Sequence, residues 1–244
     1  MLAVMSLPAR HATIVATLLV VATIVAACAD QPEANDGSPS PPAITGPTAP
    51  AGPTASTSPS TEPSAGGAYE GTVLPAPLPA GSFTLTDQRG EPFRFPRDTD
   101  GRVTLLYFGY THCADICPGT LAGIAVALRE LPADVARRVD VVFVTVDPAR
   151  DTVEVVREWV GLFSADFVGL TGRQGEIEAA LATYGFPPPE TYDIGGGEYT
   201  VGHPAGVLAF TPDGLAHLEY PFGVTVEMWR HDLTRLVEDG WEEP

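Results

Sequence analysis

VTLLYFGYTHCADICPGTL, residues Val103–Leu121, decides how the rest of the chain is read. It opens as an apolar run rich in β-branched and aromatic residues, Val103 to Phe108, the pattern of a buried strand. Gly109 breaks that run. Cys113 and Cys117 follow with three residues between them, and Pro118 comes directly after. From Gly119 onward, Leu121, Ile124, Ala125, Leu128 and Leu131 recur at helical spacing. Two thiols therefore sit where a buried strand hands over to a helix. A helix N-terminus carries unpaired N–H groups and a partial positive charge, which favour a thiolate over a thiol. The expected chemistry is thiolate chemistry.

The spacing then bears on what the thiolates hold. Were both cysteines helical, a four-residue offset would part their Cβ atoms by about 5–6 Å. A disulfide wants about 3.5–4.5 Å, whereas a metal ion bridging two sulfurs tolerates the wider gap. Cys113 placed in the preceding loop could adjust, so a redox pair stays open. Two thiolates suit a soft ion such as Cu(I), with Zn as the other occupant. Either needs a further ligand, and the chain has five histidines. His11 belongs to the N-terminal segment. His112 adjoins Cys113 and points away from it, a local hydrogen-bonding residue. His217 falls inside a strand, and His231 on the last helix has a surface role. His203 precedes the strand Ala205–Phe210, and in a thioredoxin-like fold that loop packs beside the cysteine turn. It is read either as a ligand or as a plain loop histidine.

Outward from the cysteines, the elements alternate. Phe83–Thr86 and Phe93–Phe95 flank the turn signal Gln88-Arg89-Gly90 and predict an N-terminal hairpin. Val139–Val146 is a second continuous apolar strand, closed by Asp147-Pro148. Asp151 or Thr152 caps a helix through Leu162, with Glu154 placed for a capping box. Phe167–Leu170 is a short strand and Glu176–Tyr184 a helix. Pro187-Pro188-Pro189 and Gly195-Gly196-Gly197 mark an irregular or hairpin excursion. Ala205–Phe210 and Leu215–Tyr220 flank the turn Thr211–Gly214. Val226–Val237 closes the chain as an amphipathic helix with Met228, Trp229, Leu233, Leu236 and Val237 toward the core. The fold class expected is α/β, a thioredoxin-like mixed sheet flanked by helices, with an N-terminal β-hairpin.

The first quarter of the 244 residues reads differently. Arg10 and His11 precede the apolar segment Ala12–Ala27, which is short for a spanning helix and ends in Val25-Ala26-Ala27-Cys28. Small residues before a cysteine resemble a bacterial lipobox, so residues 1–27 are expected to be a lipoprotein signal peptide and Cys28 the acylated anchor. An uncleaved anchor helix is the alternative. Both put the rest on the extracytoplasmic face of the cell membrane. Residues 28–75, rich in Pro, Ser, Thr, Ala and Gly, cannot bury enough apolar surface to offset ordering and are expected to be a disordered tether. Residues 76–244 remain as one domain of about 170 residues, enough for a sizeable core. Acids outnumber bases 31 to 13, for a net charge of −18, and every base is arginine. This argues against nucleic-acid or anionic-membrane binding and is compatible with cations or a basic partner. Three cysteines are too few for a disulfide scaffold.

Tyr107-Phe108-Gly109-Tyr110-Thr111-His112-Cys113-Ala114-Asp115-Ile116-Cys117-Pro118 resembles the signature of the Sco/SenC family of extracytoplasmic copper proteins. Thr145-Val146-Asp147-Pro148-Ala149-Arg150-Asp151-Thr152 is similar to a second signature of that family, and His203 falls where the family has its single ligand histidine. The similarity covers the whole folded domain. It implies a monomeric thioredoxin-like metallochaperone whose copper ligands are Cys113, Cys117 and His203. It further implies a role in assembling the dinuclear copper centre of cytochrome c oxidase, with the copper-bearing subunit and a thiol–disulfide reductant as partners. The chain departs from the family where Asp commonly precedes this histidine and a small hydroxyl residue follows. Here Gly202 and Pro204 flank it, which removes a carboxylate neighbour of the imidazole and makes Pro204 a candidate cis proline. The competing function is a thiol–disulfide oxidoreductase in which Cys113 and Cys117 exchange with a partner's cysteines and His203 is dispensable. A peroxide-reducing thiol enzyme fits less well, because such sites centre on one cysteine with an activating arginine.

Overall fold

A computed structural model describes residues 69–244, so the expected signal segment, Cys28 and most of the tether lie outside the described residues. Among the described residues no helix is long and apolar enough to cross a membrane. The strands are β1 (Thr72–Pro79), β2 (Phe83–Asp87), β3 (Pro92–Phe95), β4 (Val103–Gly109), β5 (Val139–Thr145), β6 (Val168–Thr171), β7 (Thr191–Gly195), β8 (Glu198–Val201), β9 (Val207–Phe210) and β10 (Leu215–Tyr220). The helices are α1 (Ile116–Glu130), α2 (Ala133–Ala136), α3 (Val153–Gly161), α4 (Gln174–Thr183) and α5 (Val226–Glu238).

One eight-stranded sheet runs in the order β1-β10-β9-β4-β5-β6-β2-β3, and β7 with β8 forms a separate hairpin. β4 pairs in parallel with β5, and β5 with β6. The outer pairings are antiparallel, so the sheet is mixed as expected. Every residue of β4 is buried, the mark of a central strand covered on both faces. Alternation then sorts the side chains. Val103, Leu105 and Tyr107 face a core with Leu121 and Ile124 of α1, Val156 of α3 and Trp229 of α5. Leu106 and Phe108 face a second core with Phe93 and Phe95 of the N-terminal hairpin and Ile177 and Leu181 of α4.

The register of β4 against β5 positions the chemistry. Gly109 stands opposite Thr145, and the Val146 N–H donates to the Gly109 carbonyl at 2.7 Å. The cysteine loop and the Asp147–Thr152 turn thus leave the sheet side by side at the carboxyl edge of two parallel strands, where α/β sheets commonly place ligand sites.

The structure departs from the sequence reading, or adds to it, at four points. The boundary expected at residue 76 falls inside β1, which pairs with β10, and buried Tyr69 stacks on Trp241 with ring centroids 4.9 Å apart. The prolines Pro75, Pro77 and Pro79 made this segment look like tether, but an edge strand tolerates residues without an N–H, and its register shifts between Val73 and Leu78. Helix α1 starts at Ile116, ahead of the apolar periodicity. Helix α3 is capped by Thr152, whose hydroxyl accepts from the Val155 N–H, so Glu154 is not placed for a capping box. The bond His203–Pro204 is trans, and Phe95–Pro96 is the cis peptide among the described residues.

Candidate metal centre

Cys113 lies in the loop before α1 and Cys117 is the second residue of that helix. The helix N-cap, Asp115, makes no side-chain cap. Instead the Cys117 N–H points at the Cys113 sulfur at 3.4 Å, so the sulfur takes up an orphan donor of the first turn. Cys117 is fully buried beneath the end of β4, and the Tyr107 hydroxyl donates to its sulfur at 3.4 Å. Gly109 makes that burial possible. A Cβ at residue 109 would stand 2.7 Å from the Cys117 sulfur and 2.9 Å from the Phe143 ring.

The two thiols have opposite electrostatic fates. Both are free rather than joined in a disulfide. Cys113 is pulled down to about 4, first by hydrogen bonding with the Cys117 thiol and then by the Cys117 and Asp115 N–H groups, against the opposing effect of burial. The same pairing, together with burial, pushes Cys117 far above the ordinary thiol range. One proton is thus shared between two sulfurs, with the negative charge on the more exposed Cys113.

His203 completes the cluster from the loop between β8 and β9. Its Nε2 stands 3.6 Å from the Cys117 sulfur and 3.9 Å from the Cys113 sulfur. Its Nδ1 lies 2.8 Å from the Pro204 carbonyl and 3.1 Å from the Phe108 carbonyl. Two carbonyls can only accept, so Nδ1 carries the proton and Nε2 presents its lone pair to the sulfurs. This answers the missing carboxylate at Gly202, because backbone oxygens orient the imidazole in its place. Tyr107 and Tyr110 meet the ring edge-on at centroid distances of 6.2 and 5.6 Å. The donor atoms of Cys113, Cys117 and His203 all lie within 4.8 Å of one another, and among the described residues they are the group of this kind that could hold a metal ion. Two soft sulfurs and one imidazole fit a soft, low-coordinate ion such as Cu(I).

Among the described residues the other three histidines find partners elsewhere. His112 has its Nδ1 3.0 Å from the Thr111 hydroxyl, as the local role expected for it. His217 is buried in β10, pairs with Asp213 at 2.8 Å and stacks on Trp241. His231 leans on Asp232.

The turn after β5 contributes three residues whose work was not legible in the sequence. Buried Asp151 accepts from the Thr111 N–H at 2.9 Å and from the hydroxyls of Thr111 and Thr145, which pins the start of the cysteine loop. Asp147 accepts from the Tyr199 hydroxyl at 2.9 Å and from Arg150, and Arg150 donates to the Tyr199 carbonyl at 3.0 Å. Tyr199 belongs to β8, the strand that leads to His203. Tyr110 adds a third tie through Thr200, with the hydroxyls 2.8 Å apart. The signal available was the motif Asp147-Pro148-Ala149-Arg150-Asp151, but spacing alone does not reveal what its side chains grip.

The SCO1/SenC family matches residues 74–238. Among individual proteins, the chain is 34% identical over 152 residues to a Stutzerimonas stutzeri protein named for copper binding, covering 61% of this chain and 73% of that one. The structure is similar to Thermus thermophilus apo Sco1, with a TM-score of 0.61 and 35% identity over 69% of this chain and 96% of that one. It is also similar to Bradyrhizobium japonicum ScoI with copper bound, with a TM-score of 0.58 and 32% identity over 65% of this chain and 99% of that one. The alignments span about half the length of the mouse mitochondrial relatives, 53% and 49%. On the breadth of the family match and the shared fold, this chain belongs to the SCO1/SenC family.

Proposed function

We propose that the protein is a copper metallochaperone of the extracytoplasmic face, holding copper through Cys113, Cys117 and His203 for delivery to the dinuclear copper centre of cytochrome c oxidase. The observation that carries this reading is the pair of backbone carbonyls at His203 Nδ1, from which the imidazole tautomer follows. With Nδ1 spent on the Phe108 and Pro204 carbonyls, Nε2 aims its lone pair at two sulfurs, one of them already poised as a thiolate. Metal loading requires the proton shared by the sulfurs to leave, so binding releases a proton and tightens as pH rises. The thiols must also be reduced, which makes a thiol–disulfide reductant a partner. Residues 1–27 serve as the export signal, Cys28 carries the lipid, and the residues between Cys28 and the start of the domain at Tyr69 tether a monomeric domain within reach of the membrane-bound oxidase subunit.

A second reading has its own support. A thiolate on Cys113 next to a protonated Cys117 is also the arrangement of a disulfide-exchanging pair, in which Cys113 would attack. Titration of the reduced protein with Cu(I), beside Cys113→Ser, Cys117→Ser and His203→Ala variants, separates the two. Stoichiometric binding weakened in all three variants is expected. Binding unaffected by loss of His203 would undercut the three-ligand site. Failure to bind, with rapid exchange against a disulfide substrate, would favour the oxidoreductase.

A further inference from the structure

A groove of about 460 Å³ lies against the loop that carries His203, and neither Cys113 nor Cys117 lines it. Phe186, Pro187, Tyr192 and Pro204 supply apolar walls, Glu190 and Glu219 supply charge, and no arginine lines it.

The two carboxylates are not equivalent. Glu190 accepts from the Tyr192 hydroxyl at 2.7 Å. Glu219 is half-buried over Gly206, and among the described residues no hydrogen bond or ion pair engages its side chain. A half-buried carboxylate without a partner can take up an incoming cation without breaking an existing ion pair. Tyr192 is 52% exposed and Ile194, two residues further along β7, is 66% exposed, so an apolar rim extends from the groove. An open aromatic face beside the unpartnered Glu219 carboxylate, on a chain of net charge −18, is complementary to a cationic side chain carried next to an aromatic one.

The geometry points to this groove as the docking site for a basic, aromatic-bearing segment of the protein that exchanges metal with Cys113, Cys117 and His203, an assignment that rests on the metal-binding function proposed above. Because His203 itself forms part of the wall, a segment seated there stands beside the ligand imidazole rather than on remote surface. The partner is recognised by charge and aromatic contact before metal moves.

The test uses the full, reduced, metal-free chain and three synthetic peptides with blocked ends: Tyr-Arg-Tyr-Arg, Tyr-Glu-Tyr-Glu and Gly-Arg-Gly-Arg. Calorimetry gives the affinity, and amide chemical shifts of Gly202 and Ala205 report the location. The first peptide is expected to bind and shift those amides, with the other two about ten-fold weaker or worse. Glu219→Gln should weaken the first peptide about three- to five-fold, the scale of a partly exposed ion pair, and added salt should erode the same increment. Equal binding of the acidic peptide, shifts confined to other surfaces, or wild-type affinity in Glu219→Gln would overturn the assignment. Cu(I) titration of Glu219→Gln runs alongside and should match wild type; a parallel loss of copper would also overturn it, since Glu219 would then act through the metal site. Peptide binding at the groove in a chain that takes no copper would retain the groove and remove the metallochaperone reading.

Discussion

The guanidinium of Arg150 lies 3.6 Å from the centroid of the Tyr199 ring, and this contact joins the two halves of the candidate site. Arg150 follows β5 on the same turn as Asp151, which holds the cysteine loop through Thr111. Tyr199 sits in the hairpin that delivers His203. One five-residue turn therefore grips both the strand that brings the sulfurs and the strand that brings the imidazole.

Loss of that grip should be felt as loss of the third ligand. Arg150→Ala is expected to weaken Cu(I) binding about ten-fold or more, the range seen when residues that orient ligands are removed, while both cysteines stay bindable. Arg150→Lys should recover little, since an ammonium cannot reproduce the planar stack together with the two hydrogen bonds. Competition titration against a chromophoric Cu(I) chelator measures both, and near-wild-type affinity in Arg150→Ala would show that the hairpin holds without it.

Cys113 should behave as a thiolate well below neutral pH. Its folded value of about 4 lies far under the ordinary thiol value, so the charged form is already present at about pH 6. Alkylation by iodoacetamide should therefore label Cys113 at a rate that stays level from about pH 8 to 6 and falls only as pH nears the folded value. Buried Cys117, pushed the other way, should be labelled only after unfolding. Cys117→Ala removes the first cause of the shift and should raise the midpoint. Equal labelling of both cysteines by mass spectrometry would contradict the shared-proton arrangement.

Gly109→Ala probes the close approach of sulfur to strand. The added methyl would meet the Cys117 sulfur and the Phe143 ring, both immobilised in the core. Overpacking of this kind costs about 1–3 kcal/mol. Urea denaturation should show that loss, with weaker Cu(I) binding, because the sulfur must move to make room. Unchanged stability would mean that the core yields more easily than its packing indicates.

Asp232 anchors the start of the described chain. Its buried carboxylate accepts from the Glu70 and Gly71 N–H groups and from the Tyr220 hydroxyl. Asp232→Ala strands these donors and should cost about 2–3 kcal/mol, the scale for buried hydrogen bonds to a charged group. Hydrogen exchange at Glu70 and Gly71 should accelerate most. If protection there persists, the Tyr69 contacts with Trp241, Gly240 and Glu242 hold this segment without Asp232.

The parallel core and the cysteine turn were legible because their signals are local. Continuous apolar runs at Val103–Phe108 and Val139–Val146 can only be buried strands, and a cysteine pair after the first marks the carboxyl edge of the sheet. The chain alone also carried the identities of the three donor residues, through motifs that resemble a known family. It could not reveal β1, since a proline-rich edge strand has the composition of a linker and becomes a strand only when β10 offers its free edge. The tautomer of His203 was equally hidden. Gly202 looked like a missing partner, and only the folded chain brings the Phe108 and Pro204 carbonyls to Nδ1. Residue types and periodicity are properties of the sequence, whereas hydrogen-bond partners nearly a hundred residues apart depend on which strand edges meet. So the candidate donors could be read from sequence motifs, whereas the cluster that gathers them was decided by tertiary contact.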